Sequence, residues 1–231
     1  MQPDSPYLSI VIPVYRDPRG AQATLAWLAE QDLPPERYEL VVVDNGSDDD
    51  TLNTARAGLA ALRCESQLLI ETRSGSYAAR KTGVEHTRGS LLMFIDADMT
   101  LPRDALSRVV AEAHATGFDY AGCAVRIEVP GKPTLAAIHN AASGFPIEHY
   151  LRERHFAPTC CLVVKRAWYE KVGGFDPRVE SGGDMLFGNM CHAAGAKQVF
   201  LKEVTLRHPA RTTWTQLAAK AERVGRGIAQ L

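Results

Sequence analysis

Leu91-Leu92-Met93-Phe94-Ile95-Asp96-Ala97-Asp98 is the stretch that decides the fold, five apolar residues running into two carboxylates one residue apart. The run is far short of the roughly 20 residues that a membrane-spanning helix needs. It reads as a strand buried on both faces of a parallel sheet. Open α/β sheets bind ligands beyond the carboxyl ends of such strands. If the strand pairing continues through Asp98, Asp96 and Asp98 point to one side, because side chains alternate along a strand. Two acids so placed suit a hard divalent cation, which takes oxygen ligands and is often shared with substrate phosphates. The plain alternative is a surface turn that happens to hold two Asp. Asp-x-Asp alone is common, so the flanking chain decides.

Upstream, Leu8–Tyr15 and Leu40–Asp44 read as two more buried strands, and Gln67–Glu71 as a short third. Ala21–Gln31 between the first two has helical spacing, with Leu25, Trp27 and Leu28 as candidate core residues. Asp32-Leu33-Pro34-Pro35 stops it, since proline cannot continue a helix. Asn45–Thr51 is a polar turn in which Asp50 or Ser47 caps the next helix. Tyr77–Thr87 is a helix closed by Arg88-Gly89. Downstream, Thr100-Leu101-Pro102 starts a helix over Arg103–Thr116, Asp119–Val129 is a strand, and Thr134–Arg154 is helical with a break near Gly144-Phe145-Pro146. Thr159–Val164 is strand-like, followed by a short helix over Lys165–Val172. Asp184–Ala194 is a helix, Gln198–Leu206 a last strand and Thr212–Leu231 an amphipathic helix. Alternating strand and helix implies a mostly parallel central sheet flanked by helices on both faces. One domain is expected over 1–231. Its parts are a nucleotide-binding half to about 100, a half over about 101–211 with less regular connections that shapes a second pocket, and a C-terminal helix over 212–231.

The chain has 231 residues, 45% hydrophobic and 23% charged, which is ordinary for a globular protein able to bury a core. Its formal net charge of -1 gives no electrostatic case for nucleic acid or an anionic membrane. No run approaches membrane-spanning length. Met1–Pro6 lacks the charged and apolar regions of a secretory signal. Five scattered Cys (Cys64, Cys123, Cys160, Cys161, Cys191) fit reduced, cytoplasmic thiols and show no zinc-type spacing. A cytoplasmic location is expected, and oligomeric state is left open.

In a parallel sheet, the polar groups that end successive strands share one edge. Pro13-Val14-Tyr15, Asp44-Asn45-Gly46-Ser47, Arg73-Ser74-Gly75 and Asp96-Ala97-Asp98 should therefore converge on one cleft. No Gly-x-Gly-x-x-Gly follows a strand and no P-loop pattern is present, so neither standard phosphate cradle applies.

At this point the sequence resembles family 2 glycosyltransferases of the GT-A fold. Five pieces carry the resemblance, in the family's order: Ile12-Pro13-Val14-Tyr15, Val43–Thr51, Ala79-Arg80-Lys81-Thr82-Gly83, Phe94–Asp98, and Val172–Asp176 with Ser181-Gly182-Gly183-Asp184. They span roughly residues 8 to 195. The resemblance implies an inverting, metal-dependent transfer of a sugar from a nucleotide diphosphate, UDP-linked by expectation, to a hydroxyl acceptor.

It also implies roles for individual residues. Asp44 receives the base N–H of the nucleotide; the alternative is a turn-capping Asp. Pro13, Val14 and Tyr15 wall the base, although Tyr15 reads equally as a core aromatic. Arg80 lies on the nucleotide side, against the alternative of a surface Arg paired with Glu85. Asp96, with Ala97 beside it, contacts the ribose or the metal shell, and Asp98 ligates Mn²⁺ or Mg²⁺. Asp184 is the catalytic base, against the alternative of a plain helix cap. His208 completes the metal site, against a simple loop residue, and Arg207 and Arg211 reach the diphosphate.

The chain departs from the family in Arg16, Lys81 and Gly183, where Asn, Asn and Glu are frequent. The Gln-x-x-Arg-Trp signature of processive synthases is absent, so single-sugar transfer is expected. The tail, with Lys220, Arg223 and Arg226, either makes peripheral membrane contact, closes over the nucleotide, or continues in a longer protein. Competing readings are a retaining GT-A transferase acting on a small acidic acceptor, a nucleotidyltransferase, and a non-catalytic binding module.

Overall fold

The computed structural model describes residues 7–228. The absent signal read at Met1–Pro6 and the end of the tail at Leu231 lie outside them. The strands are β1 (Leu8–Val14), β2 (Tyr38–Asp44), β3 (Glu65–Ile70), β4 (Leu91–Phe94), β5 (Tyr120–Glu128), β6 (Leu162–Lys165) and β7 (Gln198–Pro209). The helices are α1 (Pro18–Ala29), α2 (Thr51–Ala60), α3 (Ser76–Glu85), α4 (Ala105–Thr116), α5 (Leu135–Ser143), α6 (Ile147–Arg154), α7 (Arg166–Lys171), α8 (Gly183–Ala193) and α9 (Trp214–Ile228).

The strands form one sheet in the order β3-β2-β1-β4-β6-β5-β7. Only β6 runs antiparallel to its neighbours; the other pairings are parallel. Every residue of β2 is buried. Leu40 and Val42 join the main core, whereas Val41 and Val43 pack with Ala79 of α3 on the other face. A strand covered on both faces has no polar side, which is why it reads as a continuous apolar run.

Several local expectations change. α1 starts at Pro18 rather than Ala21, because Asp17 caps it by accepting from the Gly20 amide at 2.9 Å and proline suits the first helical position. Its buried stripe is Ala21, Thr24, Leu25 and Leu28. Trp27 falls beside that stripe and is 44% exposed, so it is not a core residue. At α2 neither expected cap makes the bond. Asp49 accepts from the Thr51 amide, and the Ser47 hydroxyl instead accepts from the Arg16 amide. α4 begins at Ala105, after Pro102 and Asp104. β6 begins at Leu162, later than expected.

The opening stretch also differs from its reading. β4 ends at Phe94, and the pairing does not run on to Asp98. The Met99 amide donates back to the Asp96 carbonyl, folding Asp96–Met99 into a turn. The buried Thr24 hydroxyl sits 2.6 and 2.8 Å from the carbonyls of Ala97 and Met99 and pins that turn onto α1. The turn lies beyond the carboxyl ends of β1 and β4, where the order of strands reverses on either side of β1. That crevice is where open α/β sheets bind ligands. At the opposite edge, the buried Glu39 carboxylate accepts from the Ser9 hydroxyl and the amides of Arg88 and Gly89.

Candidate active site

At the β2 end of the cleft, Asp44 is buried. One carboxylate oxygen, Oδ2, accepts from the amides of Gly46 and Ser47 at 3.1 and 3.0 Å. The other, Oδ1, is buried without a partner. Asp44 therefore does cap its turn, and it also keeps one acceptor unfilled, a costly state for a buried polar atom. Beside it, Val14 is buried, whereas Tyr15 is 54% exposed and is not a core aromatic. The Arg16 guanidinium lies 5.1 Å from the Tyr15 ring centroid and pairs with Asp48 at 2.7 Å. Arg16 takes a left-handed φ of 49°, so the β1 and β2 loops are latched together at a strained residue.

In the middle of the cleft, α3 presents Arg80. It is buried, with 3% of its side chain exposed, and donates to Asp96 at 2.5 Å. The surface pairing with Glu85 is excluded. The Arg80 Nε is buried without a partner. One helical turn earlier, Tyr77 is buried, and its hydroxyl accepts from the Asp184 amide at 3.1 Å. Gly183 permits this approach, since a Cβ there would come within 2.8 Å of the Tyr77 ring.

Asp184 lies in the first turn of α8; the cap position is Gly182. Its Oδ1 accepts from the Met185 amide at 2.9 Å. Burial raises the Asp184 carboxyl above the ordinary carboxylate value, and the Met185 amide, Arg80 and the Tyr77 hydroxyl offset only part of that rise. A carboxylate poised nearer neutrality is a better proton acceptor.

At the far side, β7 runs three residues beyond Leu206. A bulge between Cys123 and Ala124 restores its pairing with β5, which sets His208 opposite Ile127. His208 is thus a buried strand residue, not a loop residue. Its Nδ1 lies 2.7 Å from the Pro209 carbonyl. A carbonyl only accepts, so Nδ1 carries a proton and Nε2 is the atom turned to Asp98, 3.5 Å from its Oδ2. This is the arrangement in which imidazole ligates a metal with the tautomer held by its other nitrogen. Burial pushes the Asp98 carboxyl up; nearby Asp96 and Asp17 add to the rise, and His208 opposes it. A carboxylate ringed by like charge is one that a cation stabilises.

Among the described residues no group of three or more His, Cys, Asp or Glu is arranged to hold a metal by itself. Asp98 and His208 remain as candidate ligands, a number that would suit a cation completed by substrate phosphates and water. Arg207 falls on the other face of β7 from His208 and pairs with Glu128 at 3.0 Å, away from the cleft. Arg211 is partly buried, with Nη1 unpartnered and Asp98 among its neighbouring charges.

Asp44, Arg80, Asp96, Asp98, Asp184, His208 and Arg211 therefore gather at one rim from β2, α3, the turn after β4, α8, β7 and the segment that follows β7. Sequence reasoning missed Asp17, Thr24 and Tyr77. Asp17-Pro18 was a legible helix start. Nothing in the spacing pointed to Tyr77, because its partner lies 107 residues away.

The description Glycosyl transferase family 2 matches residues 9–173. The chain belongs to glycosyltransferase family 2. The transferase is 34% identical to glycosyltransferase AglE of Haloferax volcanii over 98% of its own length and 74% of that protein's. It is 35% identical to an undecaprenyl-phosphate 4-deoxy-4-formamido-L-arabinose transferase of Shewanella sediminis, over 50% of this chain and 35% of the relative. Its fold is that of the mannosyltransferase PcManGT from Pyrobaculum calidifontis, solved with GDP-Man and Mn2+. The TM-score is 0.77 at 21% identity, covering 98% of this transferase and 63% of that chain. S. aureus TarS with UDP-GlcNAc aligns with a TM-score of 0.68 at 20% identity, covering 89% of this transferase and 59% of TarS. The fold is GT-A, and the transferase spans only part of the length of these relatives.

Proposed function

We propose that the transferase moves one sugar from a nucleotide diphosphate donor to an acceptor hydroxyl, with inversion at the sugar. The observation that carries this reading is the Asp98–His208 pair, two ligand side chains on a rim otherwise crowded with acids. These residues fit a divalent cation, Mn²⁺ or Mg²⁺, which when bound supplies charge against the diphosphate. The rest is done by the chain itself. Arg80 holds Asp96 in place for the donor, and the Ala97 turn is fixed by Thr24. Pro13, Val14 and Tyr15 form the wall beside the base, and Arg211 faces the phosphates. Asp184 takes the acceptor proton into its carboxylate while the acceptor oxygen attacks from the face opposite the leaving group. On this reading the region to about residue 100 binds the nucleotide, and about 101–211 shapes the acceptor side.

The unfilled Asp44 Oδ1 supports a base that offers a single N–H, which fits uracil. A thermal-shift panel of UDP, GDP, CDP and ADP with and without Mn²⁺ tests base and metal together, because a ligand that binds only the folded state raises its apparent stability. UDP with Mn²⁺ is expected to give the largest shift; a larger GDP shift would reassign the donor. In Asp44→Asn the amide oxygen stays with Gly46 and Ser47, which leaves an N–H₂ group facing the base. UDP affinity is expected to fall roughly 10–100-fold, the scale of a lost charge-assisted hydrogen bond of about 1.5–3 kcal/mol.

A second reading of the acceptor rests on the relatives named as undecaprenyl-phosphate transferases. Here the acceptor is a lipid phosphate, which needs no base. The surface supports a lipid-borne acceptor at a membrane. No helix among the described residues is long and apolar enough to cross a membrane. Yet Trp214 and Val224 of α9 and Leu135 and Ile138 of α5 are exposed, and the rings of Trp214 and His139 lie 5.5 Å apart. Exposed Lys132 and Arg226 flank these residues in sequence, which suits an anionic bilayer surface. Flotation with phosphatidylglycerol-containing vesicles should carry the protein upward, and Trp214→Glu should leave most of it in the soluble fraction. Equal flotation of both proteins would remove α9 from the contact.

A further inference from the structure

Resting on that reading of the donor site, we infer that Arg211, Lys220 and Arg223 form a phosphate-binding site under α9, a helix strapped across the rim of the cleft. The strap begins where β7 ends. The Arg211 amide donates to the buried Asn140 side chain at 2.8 Å, and the Thr134 hydroxyl donates to the Thr212 carbonyl at 2.6 Å, so the chain is tied to α5. α9 then crosses to the far side. Gly227 is buried against Ser181, and a Cβ on it would come within 2.4 Å of the Ser181 carbonyl oxygen. Ser181 lies three residues before Asp184. The helix thus spans from the α5 wall to the loop that leads into α8, whose first turn carries Asp184.

Between these anchors α9 brings cations to the metal side. The Lys220 ammonium lies 4.8 Å from the Phe145 ring centroid, and that ring lies 5.7 Å from the His208 ring. His208 in turn meets Asp98. Lys220 is half-buried, and its ammonium makes no hydrogen bond or ion pair among the described residues. Arg223 lies three residues on from Lys220 along α9 and so on the same face, and burial lowers the proton affinity of Lys220, with Arg211 and Arg223 adding to the effect. The Arg211 Nη1 is buried without a partner. Asp98 and Asp96 are the carboxylates that act on Arg211, and Asp96 is already engaged by Arg80. With Asp96 held by Arg80 and Asp98 assigned to the metal, the three cations call for an anion of high charge density, and phosphate is the one this cleft handles.

That phosphate comes either from the donor diphosphate or from a lipid-phosphate acceptor, and titration calorimetry on the whole chain separates them. The probes are UDP and uridine with Mn²⁺, and farnesyl phosphate with farnesol as its phosphate-free control. Lys220→Met with Arg223→Gln is expected to weaken UDP or farnesyl phosphate roughly 10–100-fold, with uridine and farnesol unchanged. Loss on UDP assigns the site to the donor; loss on farnesyl phosphate alone assigns it to the acceptor. Lys220→Arg should retain binding, which shows that charge rather than folding is being read. If neither phosphate ligand responds while Asp98→Asn still loses UDP, the phosphate site is overturned and the donor reading stands. If Asp98→Asn binds UDP and Mn²⁺ like the wild type, the donor reading itself fails.

Discussion

Asp98→Asn is expected to lower turnover at least about 10³-fold and to abolish the stabilisation that Mn²⁺ adds in the presence of a nucleoside diphosphate. The size follows from the several kcal/mol of leaving-group stabilisation that a bound cation supplies. Asn keeps the shape of the side chain but offers a neutral oxygen, and the site has only His208 to fall back on. The same variant should be no less stable than the wild type when metal is absent. Burial and the acids at Asp96 and Asp17 all disfavour the Asp98 charge, so removing it relieves repulsion in the fold, as functional sites often permit. Calorimetric titration of Mn²⁺ in the presence of UDP, with melting temperatures measured in parallel in a chelator, reads both effects. Wild-type Mn²⁺ binding in the variant would take the metal away from Asp98.

Much of this architecture is visible in the chain before it is folded. Buried parallel strands announce themselves as apolar runs, and Leu40–Val43 and Leu91–Phe94 are such runs. The polar residues that follow them mark the cleft, and Asp44, Asp96 and Asp98 all meet there. The break at Gly144–Pro146 also falls where α5 gives way to α6.

What stays hidden is whatever depends on tertiary partners. The reach of Asp96 and Asp98 into one cleft comes from a turn held by Thr24, not from strand alternation, and Thr24 is about 70 residues distant in the chain. His208 looks like a loop residue because the pattern of β7 is interrupted. A bulge resets its register to β5, and bulges leave little trace in periodicity. Arg80 is placed on the nucleotide side only by the family resemblance, since local spacing alone equally offers it Glu85. Its burial against Asp96 emerges only when α3 packs beside the turn after β4.

Asp184→Asn is expected to lower kcat by about 10²–10⁴-fold, the range that a positioned general base contributes, while donor binding is kept. The fold should survive, since the Asn oxygen can still accept from the Met185 amide. Because the folded chain holds the Asp184 proton to higher pH than an ordinary carboxyl does, this group's contribution to stability falls as pH rises through that window. The neutral variant escapes that fall and should melt no earlier than the wild type near neutrality. Activity runs the opposite way: the base works only when ionised, so kcat/KM rises with pH up to the raised Asp184 value and then levels. Tyr77→Phe isolates this effect. Its ring still packs on Gly183 and Phe175, but the hydroxyl that favours the Asp184 carboxylate is gone. The acid limb of the profile should therefore move to higher pH while the plateau changes much less. A lipid-phosphate acceptor, already ionised, would need no proton removed. In that case Asp184→Asn would cost little in kcat and the acid limb would not move in Tyr77→Phe, so the two variants together decide which nucleophile the site was built to activate.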